Sequence, residues 1–563
     1  MELSDAIEIP RVNNVFMRKG PRPAQIGSLV LIVACYTSRF YIRVPFIFVG
    51  HHLIFSPNGQ TPQDGGGEEF WLLHRAVDRV LCDPISRDQP SKGGLLVLKC
   101  KNFMIIVFEI PNWEECNAAA RSIETLSNIN GCSHDYPFYY RCPFQVLDDG
   151  WKAFDSEEEF ARLIVRCGDA FRISSVNEGF EVCPSYPEKV IVPKGIGDDY
   201  LRISATFRDG SRFPVLSYYH KSTKFRHIEH LPLDIHTVSE VSCPKKCTLN
   251  GGGYESQMHY SHFRYMCFPI PRIREIHVAL AKMVELCNDR QVSCDRFVSR
   301  LAQASWLQCV SDSLNCAANV AQCVHCEGTP EVPVVVHGGE GTDTTLLATS
   351  LAQVILDPDA RTIRGFESLI EREWICAGHP FQLRNAHSAY AEGTITGPQE
   401  SPVFLCFLDA VYQIIAQFPH SFEFGEEFLI FLFEHAYASE FGSFLGNNEM
   451  MKAELGVKRS TVSLWSYVNN PEILRSFVNI LYEPRESVIW PSVAPQSIHV
   501  WERLFFRWQN DWTEEDYLKK SSAQWRTKER ELISRALVLR RQLIELSKEA
   551  VLQPNVQQDQ IAD

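Results

Sequence analysis

Short apolar runs separated by turn residues fill the first 127 residues of the chain. Runs of this length, rich in β-branched and aromatic residues, are typical of strands. The strands that the pattern predicts are Gly27–Cys35, Phe46–Phe55, Phe70–Val77, Gly94–Cys100 and Phe103–Glu109. Apolar residues then recur at helical spacing from Trp113 to Ser127. Several strands followed by one helix predict a small antiparallel barrel or sandwich that the helix covers on one side.

The pattern changes after Ser127 and again near Trp151. Residues 128–150 are polar and aromatic without a clear period, so we predict a linker whose aromatic side chains pack on a neighbouring domain. From Trp151 to about residue 510, strand-like runs alternate with longer helical patterns, which predicts an α/β domain. The strand-like runs are Val190–Val192, Val215–Tyr218 and Val332–Val336.

A heptad pattern marks the C-terminal segment, residues 511–552, ahead of a polar tail at 553–563. Apolar residues spaced alternately by four and three form the seam of a coiled coil. They are Leu532, Ala536, Leu539, Leu543, Leu546 and Ala550. An apolar stripe on an isolated helix is unfavourable in water, so we predict that this helix pairs with a partner. The alternative is that it folds back on its own domain.

Composition narrows the classes of function. The 563 residues include 55 Lys and Arg and 69 Asp and Glu, which gives a net charge of -14. This charge argues against general binding to nucleic acid or anionic membrane. The 19 cysteines and the absence of a signal-like N-terminus predict a reducing cytosol. No apolar run approaches the roughly 18 residues of a membrane span. We expect a cytoplasmic protein whose contact with endomembranes, if any, is peripheral.

A glycine-rich turn from His337 to Asp343 is the candidate functional site. A Val-rich strand precedes the turn, and a helix predicted at Thr345–Leu356 follows it. Amides of such a turn and of a helix N-terminus can cradle a phosphate.

This segment resembles the signature of the myotubularin phosphatases, in which a His-Cys pair, five loop residues and an Arg-Thr pair follow a Val-rich strand. The cysteine thiolate attacks phosphorus and the arginine holds the phosphate oxygens. The resemblance places Gly338 at the nucleophilic cysteine and Thr344 at the phosphate-binding arginine. It also places Gly339 at a serine, Glu340 at the candidate acid-base carboxylate, Thr342 at a tryptophan and Asp343 at a second aspartate, and Gly341 completes the loop.

The resemblance extends along nearly the whole chain from Gly50 onward. It includes Arg361–Glu367, Ser401–Leu405, Gln417–Phe424, Phe441–Leu445 and Ser463–Tyr467, while Pro380 replaces a basic residue of the family. It implies a multidomain α+β protein: a pleckstrin-homology/GRAM-like small β-barrel at 1–127, the linker, an α/β cysteine-phosphatase-like domain at 151–510, and the coiled-coil helix.

The expected function is that of an inactive phosphoinositide 3-phosphatase homologue that regulates active ones. With Glu340 and Asp343 in the loop and no cation between them, we expect neither turnover nor tight binding of a head group. The resemblance implies as partners the active myotubularin-related proteins 6, 7 and 8, whose substrates are phosphatidylinositol 3-phosphate and its 3,5-bisphosphate. A weakly active enzyme, a phosphoinositide sensor with weak membrane contact, and a homo-oligomer stay open as alternatives.

A second cluster, Cys323 to Cys326, has the spacing of half a zinc site. Cys309 and Cys316 lie upstream on the same predicted helix, and Cys243 and Cys247 lack suitable surroundings. No second half-site follows, so we expect buried free thiols rather than a metal, and no cofactor.

Overall fold

A computed structural model describes residues 6–19, 25–33, 50–57, 70–85, 93–129, 131–206, 209–220, 237–240, 264–289, 292–325, 334–338, 341–390, 400–508, 528 and 531–546. The chain divides into two compact units. One comprises Met1–Gly20 and Ala24–Trp508, and the other comprises Pro21–Pro23 and Gln509–Asp563.

The N-terminal part is an antiparallel sheet of seven strands with the order β4-β3-β2-β1-β7-β6-β5. Its strands are β1 Arg11–Lys19, β2 Gln25–Val33, β3 Gly50–Pro57, β4 Phe70–Leu73, β5 Val77–Pro84, β6 Gly94–Cys100 and β7 Ile105–Ile110. Helix α1, Trp113–Ser127, follows, and Asn112 caps it by accepting a hydrogen bond from the Glu114 amide. The predictions of Gly94–Cys100 and of α1 are confirmed.

Burial along this sheet follows the two-residue period of a strand. Alternate residues of β6 and β7 are buried, and they form one core with Cys116, Ala119 and Ile123 of α1. The prediction of one continuous strand at Phe70–Val77 is wrong, because a short helical turn at His74–Ala76 separates β4 from β5. Closure of the sheet into a barrel stays a prediction.

The aromatic residues of the linker pack on both neighbours, as predicted. Tyr136 lies 4.5 Å from His52 of β3, measured between ring centroids. Tyr140 and Phe144 pack on the other side, with centroids 5.5 Å and 5.4 Å from Phe441 and Tyr467.

The following domain is mainly helical. Its helices are α2 Gly150–Ala153, α3 Ser156–Cys167, α4 Asp198–Ala205, α5 Ile273–Asn288, α6 Cys294–Ala304, α7 Trp306–His325, α8 Thr344–Leu356, α9 Ile363–Ile370, α10 Phe381–Arg384, α11 Val403–Gln417, α12 Glu426–Tyr437, α13 Glu449–Leu455, α14 Val457–Ser460, α15 Leu464–Val468, α16 Pro471–Phe477 and α17 Glu502–Phe505. A π-helix, Glu371–Cys376, continues α9.

Two small sheets accompany these helices. Strands β8 Phe171–Ser174 and β9 Val190–Pro193 pair antiparallel. Strands β10 Thr237–Glu240, β11 Arg264–Cys267 and β12 Val334–His337 form a parallel sheet with the order β11-β10-β12. The predicted strand Val215–Tyr218 is wrong: this segment has no regular structure, although the Leu216 amide donates to the Ile191 carbonyl at 2.9 Å.

Helices α8 and α11 lie at the centre of the core. All but four residues of α11 are buried, and the buried ones are hydrophobic except for Asp409 and Gln413. Asp409 accepts hydrogen bonds from the Trp306 indole at 2.7 Å and from Gln413 at 2.8 Å. Because these partners satisfy the carboxylate, α11 can be buried with a polar residue on it.

The turn between β6 and β7 joins the N-terminal sheet to the helical domain. Phe103 at its tip is 2% exposed and belongs to the core of the helical domain, where its ring stacks on Phe505 at 5.8 Å. The neighbouring Asn102 donates to Glu434 at 3.0 Å and accepts from the Trp508 indole at 2.8 Å. The two parts therefore share buried apolar surface.

In the second unit, residues 531–546 are helical. Within the described part of the chain, no helix combines the length and apolar content needed to cross a bilayer.

Candidate functional site

The glycine-rich turn connects the parallel sheet to a buried helix, as the sequence predicts. Strand β12 pairs in register with β10, from Thr237 opposite Val334 to Glu240 opposite His337. Helix α8 begins at Thr344, one residue before the predicted start, and the buried face of α8 anchors it in the core. Gly338 directly after the strand is buried. Gly339 and Glu340 lie outside the described residues.

Asp343 at the end of the turn forms a bidentate ion pair with Arg384. The arginine Nε and Nη2 donate to Oδ1 and Oδ2 at 2.9 Å and 2.8 Å, and both residues are buried. His379 Nδ1 donates to the Thr342 carbonyl at 2.8 Å and lies 3.4 Å from Asp343 Oδ1. Burial by itself would raise the pKa of Asp343, but the bonds from Arg384 and His379 outweigh it and hold that pKa well below its usual range.

This pair corrects one expectation from the sequence. We expected Asp343 to face a bound phosphate with no cation nearby, and that is wrong, because Arg384 compensates its charge. Arg384 comes from α10, 41 residues further along the chain. The only signal for it in the sequence is general: a carboxylate that is buried in a core needs a cation or several donors.

A second arginine holds the other side of the turn. Arg212 donates to Ser185 Oγ at 2.8 Å, to the Ala377 carbonyl at 2.9 Å and to the Gly341 carbonyl at 3.2 Å. Its guanidinium also lies 4.0 Å from the centre of the Tyr186 ring. Both terminal nitrogens of Arg212 thus donate to protein acceptors.

Gly341 shows why the turn requires glycine at this position. Its φ is +76°, in the left-handed region, and a Cβ added there would lie 3.2 Å from Arg212 Nε. A larger residue would strain the backbone and displace the arginine that holds the turn.

A cavity of about 280 Å³ opens beside the turn. Residues of the segments 186–191 and 212–218, valines of β12 and apolar residues of α7 and α8 line it. Polar groups that also line the cavity bond to each other: Glu373 accepts from Ser217 at 2.7 Å and from Thr349 at 3.0 Å, and Gln353 donates to Ser217 at 3.1 Å. Each of these groups therefore already has a protein partner.

Cys376 also lines this cavity, and sequence analysis did not consider it. The thiol is 5% exposed, and burial raises its pKa, with the nearby carboxylates of Glu449 and Glu371 adding to the effect. Since only the thiolate is strongly nucleophilic, a protonated Cys376 is a poor nucleophile.

The structure describes only some of the cysteines that were considered as a zinc half-site. Cys309 and Cys316 lie on α7 and are buried, and burial raises the pKa of each thiol to about 12. Cys326, Cys243 and Cys247 lie outside the described residues. No group of three His, Cys, Asp or Glu side chains suited to a metal occurs among the residues that the structure covers.

The predicted partner-binding stripe lies on the helix at 531–546. Its leucines are exposed: Leu532 by 66%, Leu539 by 54%, Leu543 by 66% and Leu546 by 63%. Ala536 is exposed as well, and Ala550 lies outside the described residues. Pairing of this helix stays a prediction.

The antiparallel sheet with its covering helix is a GRAM-like domain, and the part that contains the strand, the glycine turn and the buried helix is a phosphatase-like domain, as two family models identify them. The myotubularin-like phosphatase domain matches residues 135–228 and 238–453, and the GRAM domain described as MTMR6-9 matches residues 29–127. The chain belongs to the myotubularin family.

Curated relatives match almost the entire chain. It is 57% identical to a Caenorhabditis elegans protein named myotubularin-related protein 9, over 98% of this chain and 100% of the relative. The human protein of that name is 43% identical over 98% and 100% of the two chains. The human phosphatidylinositol-3,5-bisphosphate 3-phosphatase MTMR6 is 29% identical over 86% of this chain and 80% of that one.

Proposed function

We propose that this chain is a catalytically inactive myotubularin that acts as a regulatory subunit of active relatives. The observation that carries the proposal is the pair of substitutions at the turn. Gly338 stands where the family has its nucleophilic cysteine, and Thr344 stands where it has the arginine that binds phosphate. Phosphoryl transfer without either group lacks both its attacking atom and its main electrostatic clamp.

Three described residues near the turn support this proposal, because each is already engaged or protonated. Arg384 is paired with Asp343, and Arg212 is bonded to two carbonyls and a hydroxyl. Cys376 is held protonated by burial. A threonine hydroxyl such as that of Thr344 is a weak nucleophile when no base lies beside it.

The regulatory role rests on the helix at 531–546. Its leucine stripe has the spacing of a coiled-coil seam, and its leucines are more than half exposed. The partners that the family suggests are the phosphatases of the group, including those named MTMR6 and MTMR7. A subunit that binds only the folded enzyme raises the folded population of that enzyme by mass action.

Truncation tests this role. A chain that ends at Trp525 keeps the GRAM-like and phosphatase-like domains and lacks the helix. We expect the full chain to co-purify with a catalytic relative and to raise its phosphate release, and the truncated chain to do neither. Equal stimulation by both chains would refute the helix as the docking element.

A phosphoinositide sensor is the second candidate, and the cavity beside the turn is the observation that favours it. The pairing of Asp343 with Arg384 removes part of the repulsion expected for an anionic head group. Flotation of the full chain with liposomes that contain or lack phosphatidylinositol 3-phosphate separates the two candidates. A sensor requires flotation that depends on the 3-phosphate, whereas the regulatory subunit requires none.

A further inference from the structure

One arginine lies inside the apolar face of the C-terminal helix. On an α-helix the residues three and four positions away surround a given side chain. For Arg540 these four neighbours are Ala536, Leu537, Leu543 and Ile544, and all are apolar. Leu537 and Ile544 are 45% and 48% exposed, so the face around Arg540 is an accessible apolar surface with a single charge in it.

The two other arginines of the described helix differ from Arg540. Arg535 has Glu531 four residues before it, and Arg541 has Glu545 four residues after it. Side chains at this spacing can form an ion pair on one helix. Arg540 has no acidic residue at any of its four neighbouring positions.

A partner that covers the leucine stripe would also cover Arg540. In heptad terms, Leu532, Leu539 and Leu546 occupy position d, and Arg540 occupies position e beside the seam. A guanidinium that loses water without gaining a carboxylate is strongly destabilising, whereas a bidentate carboxylate on the partner satisfies it. A partner helix that presents an acidic residue at this point would therefore bind more favourably than one that does not.

Two copies of this helix cannot supply that residue. In a parallel pair, position e faces position g of the other helix, so Arg540 meets Arg535 of the second copy. In an antiparallel pair centred on Leu539, Arg540 comes close to Arg540 of the second copy. Both arrangements place like charges together at the edge of a desolvated seam, which opposes self-association.

We propose that Arg540 determines the partner of this helix: it selects a helix with a carboxylate opposite it and disfavours pairing of the chain with itself. This inference rests on the proposed function, in which the helix is the docking element. It adds the chemistry of the partner surface and the reason for a heteromeric complex.

The test compares charge reversals at adjacent positions of the full-length chain. Arg541 occupies position f, the heptad position farthest from the seam, so Arg541→Glu is the matched control for Arg540→Glu. The binding partner is full-length MTMR7, and titration gives the dissociation constants. We expect Arg540→Glu to weaken binding by at least about tenfold and Arg541→Glu to change it by less than about twofold.

A third variant, Leu539→Glu, distinguishes the two proposals. If Leu539→Glu abolishes binding while Arg540→Glu binds like the unmodified chain, the stripe docks but needs no carboxylate, and the role of Arg540 is refuted. If Leu539→Glu binds normally, the docking element is wrong, and the inference fails with it.

Self-association provides an independent readout. Arg540→Leu makes the apolar face continuous and removes the repulsion between copies. Sedimentation equilibrium should show self-association that is at least about tenfold tighter than that of the unmodified chain. Equal self-association of the two proteins would overturn the proposed selection against pairing with itself.

Discussion

Asp343 is a structural group of the glycine-rich turn. Arg384 and His379 hold its carboxylate in the core. The buried ion pair therefore stabilises the shape of the turn without any need for bound phosphate.

Removing Arg384 should destabilise the protein strongly. Arg384→Met leaves the buried Asp343 carboxylate without its cation, and loss of one partner of a buried pair costs about 3–5 kcal/mol. The shift of the urea unfolding midpoint, followed by tryptophan fluorescence, measures this cost. The control is Arg364→Met, which breaks an exposed pair with Asp148 and should cost at most about 1 kcal/mol. Similar shifts for both variants would contradict the structural role of Arg384.

Glu367 should make stability depend on pH. The side chain is fully buried, and burial raises its pKa from an ordinary 4.5 to about 8. Below pH 4.5 the folded and unfolded chains both hold the proton. As the pH rises from 4.5 to 8 the unfolded chain releases it first, so stability falls, by at most about 1.4 kcal/mol per pH unit.

Glu367→Gln should remove this share of the pH dependence, because an amide carries no titrating proton. Urea midpoints at several pH values between 5 and 8 measure the slope, and Glu472→Gln on the exposed face of α16 is the control. An unchanged slope in Glu367→Gln would mean that the carboxyl group ionises normally in the fold.

The turn between β6 and β7 is one of the elements that join the two domains of the first unit. Its Phe103 has a φ of +71° and inserts between Phe433 and Phe505, with ring centroids 5.3 Å and 5.8 Å away. A residue with a bulky side chain in the left-handed region is strained, and the buried contact offsets that strain.

Phe103→Ala should loosen this junction. Deletion of a buried phenylalanine ring costs about 3–5 kcal/mol. The urea midpoint should fall accordingly, and trypsin should cleave the linker at 128–150 faster. Phe16→Ala is the control, since Phe16 of β1 is 37% exposed and its removal should cost about 1 kcal/mol or less. Unchanged proteolysis in Phe103→Ala would show that other contacts hold the domains together.

The sequence correctly predicts those elements in which apolar residues recur with the period of a strand or of a helix. Strand β6 alternates buried and half-buried residues, and α1 has apolar residues at helical spacing, so both have the predicted bounds. Strands β10 and β11 have only four residues each and no such pattern, and β1 mixes charged and apolar residues. Pairing with distant strands stabilises these elements, and a local pattern cannot report that.

The site was predictable in the same partial way. The turn was located because a strand, several glycines and a helix follow each other in the chain. Arg212, Arg384 and Cys376 lie near the turn only because the chain folds. Arg212 precedes Gly341 by 129 residues, and Arg384 follows Asp343 by 41 residues. A single sequence that is read without an alignment does not indicate such contacts.

At the scale of the whole molecule, the proposed function combines a folded scaffold with a turn that lacks two reactive groups. Restoring them should not restore the enzyme. Gly338→Cys combined with Thr344→Arg supplies the nucleophile and the clamp, but Thr342 and Pro380 also depart from the family, so the supporting groups are not in place. We expect less than about a hundredth of the turnover of an active relative, since catalysis needs the supporting groups as well. Turnover near that of an active relative would show that the scaffold still holds a functional site.

The most direct measurement of the central claim is phosphate release by the purified full-length chain. It is offered phosphatidylinositol 3-phosphate and phosphatidylinositol 3,5-bisphosphate, with MTMR6 prepared in the same way as the positive control. The proposed loss of the nucleophilic cysteine and of the phosphate-binding arginine predicts no release above a buffer blank. Release at an enzyme-like rate, from a preparation free of active relatives, would contradict the account.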